Sequence, residues 1–113
     1  MNNDVRKPRV MITQETEHSF IDAEQYGTVV FITRDDLNNT KGSLHNEALF
    51  RTIKAMLRDF NPDTDYIAPS GSPYVTAAVF LVLGNMGFKN IKILRWDNRG
   101  FNYNILHFDL RRQ

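Results

Sequence analysis

The stretch DYIAPSGSPYVTAAVF, residues 65–80, decides the fold. Asp65–Ala68 is a short apolar strand candidate, Pro69-Ser70-Gly71-Ser72-Pro73 breaks it, and an alanine- and valine-rich run follows at once. Ser72 has the side-chain oxygen of a helix N-cap, and Pro73 falls at the first helical position, where its missing N–H is harmless. Gly71 lets the backbone turn tightly and lets another group approach it closely. The unit therefore reads strand, tight turn, helix. The helix should run to about Met86, with Gly84 and Gly87 allowing close packing and a left-handed exit. Val75, Ala77, Ala78, Val79, Phe80, Leu81, Val82 and Leu83 make it apolar nearly all round, which predicts burial.

The same alternation extends in both directions. Upstream, Arg9–Thr13 (RVMIT) is a short apolar strand candidate. Between Glu15 and Tyr26, Phe20, Ile21, Ala23 and Tyr26 fall roughly on one helical face, and Gly27 is a natural stop. Thr28–Thr33 (TVVFIT) is β-branched and apolar on both faces, as expected for a central parallel strand. After a polar loop over 33–42, Ser43 resembles an N-cap. Leu49, Ile53, Leu57 and Phe60 then mark an amphipathic helix that Asn61-Pro62 should end. Downstream, Asn90–Asp97 (NIKILRWD) reads as a strand, Asn98-Arg99-Gly100 as a turn and Phe101–Leu110 as a return strand. Trp96 and Tyr103 should then face each other across the hairpin.

Strands and helices alternate until that last hairpin, which predicts an α/β fold. The expected architecture is a single Rossmann-like domain over residues 9–113, preceded by a flexible tail over residues 1–8. Its mostly parallel sheet has about five strands and ends in a C-terminal antiparallel hairpin at a sheet edge. A chain of 113 residues suits one domain.

Composition narrows the function. The net charge of +1 gives no basic excess for duplex nucleic acid, and the basic residues cluster only at Arg6–Arg9 and Arg111-Arg112. No apolar run approaches the ~20 residues of a membrane span. With no cysteine, disulfides, thiolate catalysis and cysteine–zinc sites are excluded, and a cytoplasmic setting fits.

In open α/β sheets, ligands bind beyond the carboxyl ends of the strands. Thr13 and Gln14 follow the first strand, and Arg34, Asp35, Asp36, Asn38 and Asn39 follow the second. Ser70, Gly71 and Ser72 follow the third, and Asp97, Asn98 and Arg99 the fourth. Parallel strands would bring these four polar clusters to one rim. Backbone N–H groups at Ser70–Ser72, with the dipole of the following helix, favour a phosphate or carboxylate. Arg34 and Arg99 could bracket such an anion, with Asp35 or Asn98 at a sugar or base. The plainer roles are an N-cap for Ser72 and surface ion pairs for the two arginines with Asp35, Asp36 or Asp97. His18 and His45 read as surface residues and His107 as a packed strand histidine. No catalytic nucleophile, metal motif or cofactor signature is present, so whether any reaction is catalysed stays open.

Residues Tyr66–Leu83 resemble one motif of CARF domains, the Rossmann-like sensors of cyclic oligoadenylates. Ser70, Gly71, Ser72 and Pro73 match that motif's loop, and Ala77, Ala78 and Leu81 its following helix. The resemblance implies a homodimer that binds an adenylate ring or a related cyclic nucleotide through this loop. Two kinds of partner are thus expected. One is an anionic small molecule, such as a nucleotide, at the rim. The other is a protein, met by a ligand-free interaction module of the accessory or phage-type inhibitor kind, acting through an exposed edge strand or oligomer interface.

Overall fold

The structure, a computed structural model, describes residues 7–112. Five strands form one sheet: β1 (Arg9–Ile12), β2 (Thr28–Phe31), β3 (Tyr66–Ala68), β4 (Asn90–Asp97) and β5 (Asn102–Asp109). Their order is β2-β1-β3-β4-β5. The first four are parallel, and β5 pairs antiparallel with β4. The expected α/β architecture with a C-terminal hairpin is present. Most of the expected tail, residues 1–6 with Arg6, lies outside the described residues. Its last residue, Pro8, is fixed, because Thr28 N–H donates to its carbonyl at 2.9 Å.

Strand placement differs from expectation at one point. TVVFIT is an edge strand, and RVMI lies inside it, between β2 and the middle strand β3. Val10, Met11 and Ile12 are fully buried, whereas Val29 and Val30 are half-buried and Phe31 is exposed. An apolar, β-branched run reads alike at the centre and at the edge of a small sheet, and only the order of crossovers separates the two. The chain leaves β1 for β2 on one side, returns over β1 to reach β3, and continues to β4.

Right-handed crossovers then dictate the layers. The β1–β2 connection lies on one face, and the other two connections lie on the opposite face. That opposite face carries helices α1 (Leu44–Met56) and α2 (Pro73–Asn85). Met11, Ile67, Ile91 and Ile93 point into it, against Leu49, Ile53, Val79 and Leu83. The first face receives Val10, Ile12, Ala68 and Leu94. Among the described residues it is covered by a 3-10 helix over Ile21–Gln25, which brings Ala23, and by the flanking Phe20 and Tyr26. Of the helical face expected between Glu15 and Tyr26, only this short 3-10 helix forms, and Ile21 points to solvent.

Local signals were accurate at both helix starts. Ser43 accepts the N–H of Asn46, and Ser72 accepts those of Tyr74 and Val75. Helix α1 stops at Met56, well before Asn61-Pro62. Leu57 and Phe60 still reach the core from the turn that follows. The end of that turn is locked by Asp65, which is fully buried. Its carboxylate accepts the N–H groups of Arg9 and Asn61, both at 2.9 Å, and the Arg9 guanidinium lies 3.5 Å away. A buried charge is tolerable only when paired and hydrogen-bonded in this way. The contact ties the starts of β1 and β3 together.

Candidate functional site

The carboxyl rim is built around β1 and β3, the strands between which the crossovers change direction. Thr13 and Gln14, just past β1, are both buried and reach across to the loop after β3. Ser70 N–H donates to Thr13 Oγ1 at 2.8 Å, and Thr13 Oγ1 also lies within hydrogen-bond distance of Ser70 O and Thr76 Oγ1. Gln14 Oε1 accepts the N–H of Ser72 at 2.7 Å. Gln14 Nε2 donates to the backbone carbonyl of Asp35 at 2.9 Å. One glutamine thus joins the loops after β2 and β3.

Gly71 is where this latch touches the backbone. Its φ of +74 lies in the left-handed region, and a Cβ there would collide with Gln14 Oε1. Ser70, Gly71 and Ser72 are therefore shaped by contacts inside the chain. The Ser70 and Ser72 backbone donors that the sequence offers to an anion are taken by Thr13 and Gln14. The Ser72 hydroxyl is used as the cap of α2.

The remaining sequence-predicted residues divide. Asp35 joins the latch through its carbonyl, not its carboxylate. Arg34 pairs with Glu15 at 3.1 Å on the surface, not with Asp35 or Asp36. Beside the latch, Asp36, Asn38, Asn46, Phe50 and Tyr74 wall an open groove of about 700 Å³. Asn98 and Arg99 stand apart from it. Ile67 pairs with Ile93, yet β4 continues to Asp97, so the hairpin tip projects on the order of 10 Å beyond the end of β3. There Asn98 and Arg99 line a separate groove with Arg95 and Trp96. Arg99 N–H donates to Asp97 at 2.9 Å. That bond is the main cause holding the Asp97 carboxyl below its usual range, and burial opposes it. Three of the four polar clusters meet at the rim. The fourth is carried away by the length of β4.

A second surface was not legible as a site. Helix α2 is buried on one side only. Tyr74 and Leu81 point to solvent, so the all-round burial expected of it does not occur. The described elements include no further layer over that outer side. Toward β5, Phe80, Gly84, Phe88, Ile91, Phe108 and Leu110 line an apolar groove of about 340 Å³. Phe80 and Phe108 meet across it with ring centroids 6.2 Å apart. Phe108, on the strand that forms the open edge of the sheet, and Leu110, just past its end, are 53% and 63% exposed. His107 is exposed as well, contrary to its expected packing, because no described element neighbours β5 on its outer side. Trp96 and Tyr103 do pair across the hairpin, with ring centroids 5.0 Å apart.

Fold and surfaces together define a small single-sheet α/β domain with a closed rim and an open edge. Residues 5–110 match the family described as Phage Pam3 gp32-like protein, and the chain belongs to that family. No curated protein and no solved structure matches the chain. Among the described residues, no helix is long and apolar enough to cross a membrane, and no three acidic or histidine side chains gather to hold a metal ion.

The latch makes a direct prediction. Gly71→Ala should destabilise the protein by about 2 kcal/mol or more, from left-handed strain plus the collision with Gln14. In a Gln14→Ala background the strain and a tight contact with the residue-14 Cβ remain, but the collision with the Gln14 amide is gone. The same substitution should then cost roughly 1 kcal/mol less, as a double-mutant cycle in chemical denaturation would read. Strictly additive effects would mean that Gln14 does not fill the space over Gly71.

Proposed function

We propose that the protein is a protein–protein interaction module, an accessory or inhibitor subunit of a phage, whose working surface is the outer edge of β5 with the apolar groove beside α2. The observation that carries this reading is the open edge itself. It is eight residues long and flanked by exposed Ile105, Phe108 and Leu110. Natural sheets usually protect such an edge with lysine, proline, a bulge or a covering element. From Asn102 to Phe108 there is no lysine and no proline, and the register with β4 is continuous. Exposed apolar side chains beside unpaired strand groups are what a partner covers.

The test is capture by the tagged full-length chain from phage-infected cells. Wild type should retain a specific protein partner that Phe108→Glu loses, while both proteins keep the same melting temperature within about 2 °C. Equal retention by both, or none by either, would contradict the reading.

A second reading, an anionic ligand such as a nucleotide at the rim, is supported by one feature. The Gln14 side-chain oxygen occupies the place at the start of α2 where a phosphate oxygen would be favoured. A ligand would displace Gln14 and extend into the groove by Tyr74. A thermal-shift screen with nucleotides and cyclic oligonucleotides should then raise the melting temperature by mass action, and Gly71→Val should remove the shift. No shift with any of these anions would count against this second reading.

A further inference from the structure

The direction of every backbone group in β5 follows from its register. Leu110 N–H donates to Lys89 O at 2.8 Å, so this opposed pair is of the hydrogen-bonded kind. Bonded and non-bonded pairs alternate along an antiparallel ladder. Phe108, Leu106 and Asn104 therefore turn their N–H and C=O groups toward β4. Tyr103, Ile105, His107 and Asp109 turn theirs outward. One outward carbonyl is already used, since Tyr26 Oη donates to Tyr103 O at 3.4 Å. Three outward rungs remain, at Ile105, His107 and Asp109. No other described residue bonds to their backbone groups on that side.

These three rungs are symmetric about His107. We propose that two copies of the chain pair β5 against β5, antiparallel, about a two-fold axis at His107, giving one continuous ten-stranded sheet. This rests on the interaction reading above and names the partner as a second copy. In this register Ile105 lies opposite Asp109 of the second copy and His107 opposite its own equivalent. All three free rungs are used on each side, giving six backbone hydrogen bonds by the alternation of an antiparallel ladder.

The side chains agree with the register. On the helix side, Leu106 lies opposite Phe108 of the second copy, and the converse pair repeats it, which places exposed apolar area against apolar area. On the other side, no carboxylate meets a carboxylate and no guanidinium meets a guanidinium. Asp109 arrives opposite Ile105 already neutralised by Arg111, whose side chain donates to both carboxylate oxygens at 2.8 and 2.9 Å. The opposite edge cannot do the same, since β2 offers only four residues. Tyr26 over Tyr103 disfavours a register centred on Leu106, because that register needs the Tyr103 rung.

The absence of cysteine makes the pairing simple to test. Opposed residues of a hydrogen-bonded pair have Cα atoms ~5.5 Å apart, within disulfide range. Under mild oxidation at pH 8, His107→Cys should form a disulfide-linked dimer at least roughly tenfold faster than Ile105→Cys, whose equivalents lie four residues apart along the strands. Ultracentrifugation of the wild-type chain should give twice its 13.1 kDa mass. His107→Pro removes an N–H that faces away from β4, so it leaves the internal ladder intact and should give a folded monomer. If that variant is unfolded by circular dichroism, Phe108→Glu serves in its place. A wild-type monomer at every concentration, or equal crosslinking at 105 and 107, overturns the self-pairing. In that event, capture of a different protein by wild type and not by the edge-blocked variant leaves the interaction reading standing, and no capture ends both.

Discussion

The handedness of three crossovers is the constraint on which the rest depends. Parallel strands joined through a crossover are right-handed in nearly all proteins. Here the first crossover runs from β1 to its outer neighbour, and the next two run the other way. That reversal places α1 and α2 on one face, and among the described residues the opposite face is covered by the 3-10 helix with Phe20, Ala23 and Tyr26. It makes β1 and β3 the central pair, puts the change of direction between them, and leaves β5 with one side unpaired. Both candidate surfaces, the rim and the edge, are consequences of the same topology.

At the rim, the chain's own side chains take the place that a ligand takes in many open α/β sheets. Thr13 and Gln14 satisfy the backbone donors of Ser70 and Ser72 and bind the Asp35 loop to them. Each internal hydrogen bond has a modest net worth, about 1 kcal/mol, but a ligand must break them before it gains anything. The edge carries no such internal cover. Its polar rungs face water, and its apolar neighbours stay exposed, so association there has only water to displace.

Much of this was legible in the residues, and the failures have physical causes. Ser43 and Ser72 announced the helix starts because capping is a local hydrogen bond. Residues 65–80 form strand, turn and helix as their sequence indicates, because Pro73 and Ser72 have few other uses. The hairpin and its Trp96–Tyr103 contact followed from alternation across a turn. What failed depended on distant partners. TVVFIT reads as a central strand but lies at the edge, because burial on both faces depends on strand order, which a single segment does not carry. Helix α2 looked fully buried because its outer residues, such as Leu81, are as apolar as its inner ones. Arg34 met Glu15 and not its sequence neighbours, since the pairing is set by how the loops after β1 and β2 approach. The separation of Asn98 and Arg99 from the rim came from the extra length of β4, which sequence spacing alone understates.

If two copies pair through β5, the backbone at Ile105, His107 and Asp109 is covered in the dimer, and amide hydrogen exchange at those three positions reads it. Exchange there should be slow at high protein concentration and fast on dilution below the dissociation constant. The inward amides of Leu106 and Phe108 should stay slow throughout. Fast exchange at Ile105, His107 and Asp109 at every concentration, with and without other phage or host proteins, would contradict it.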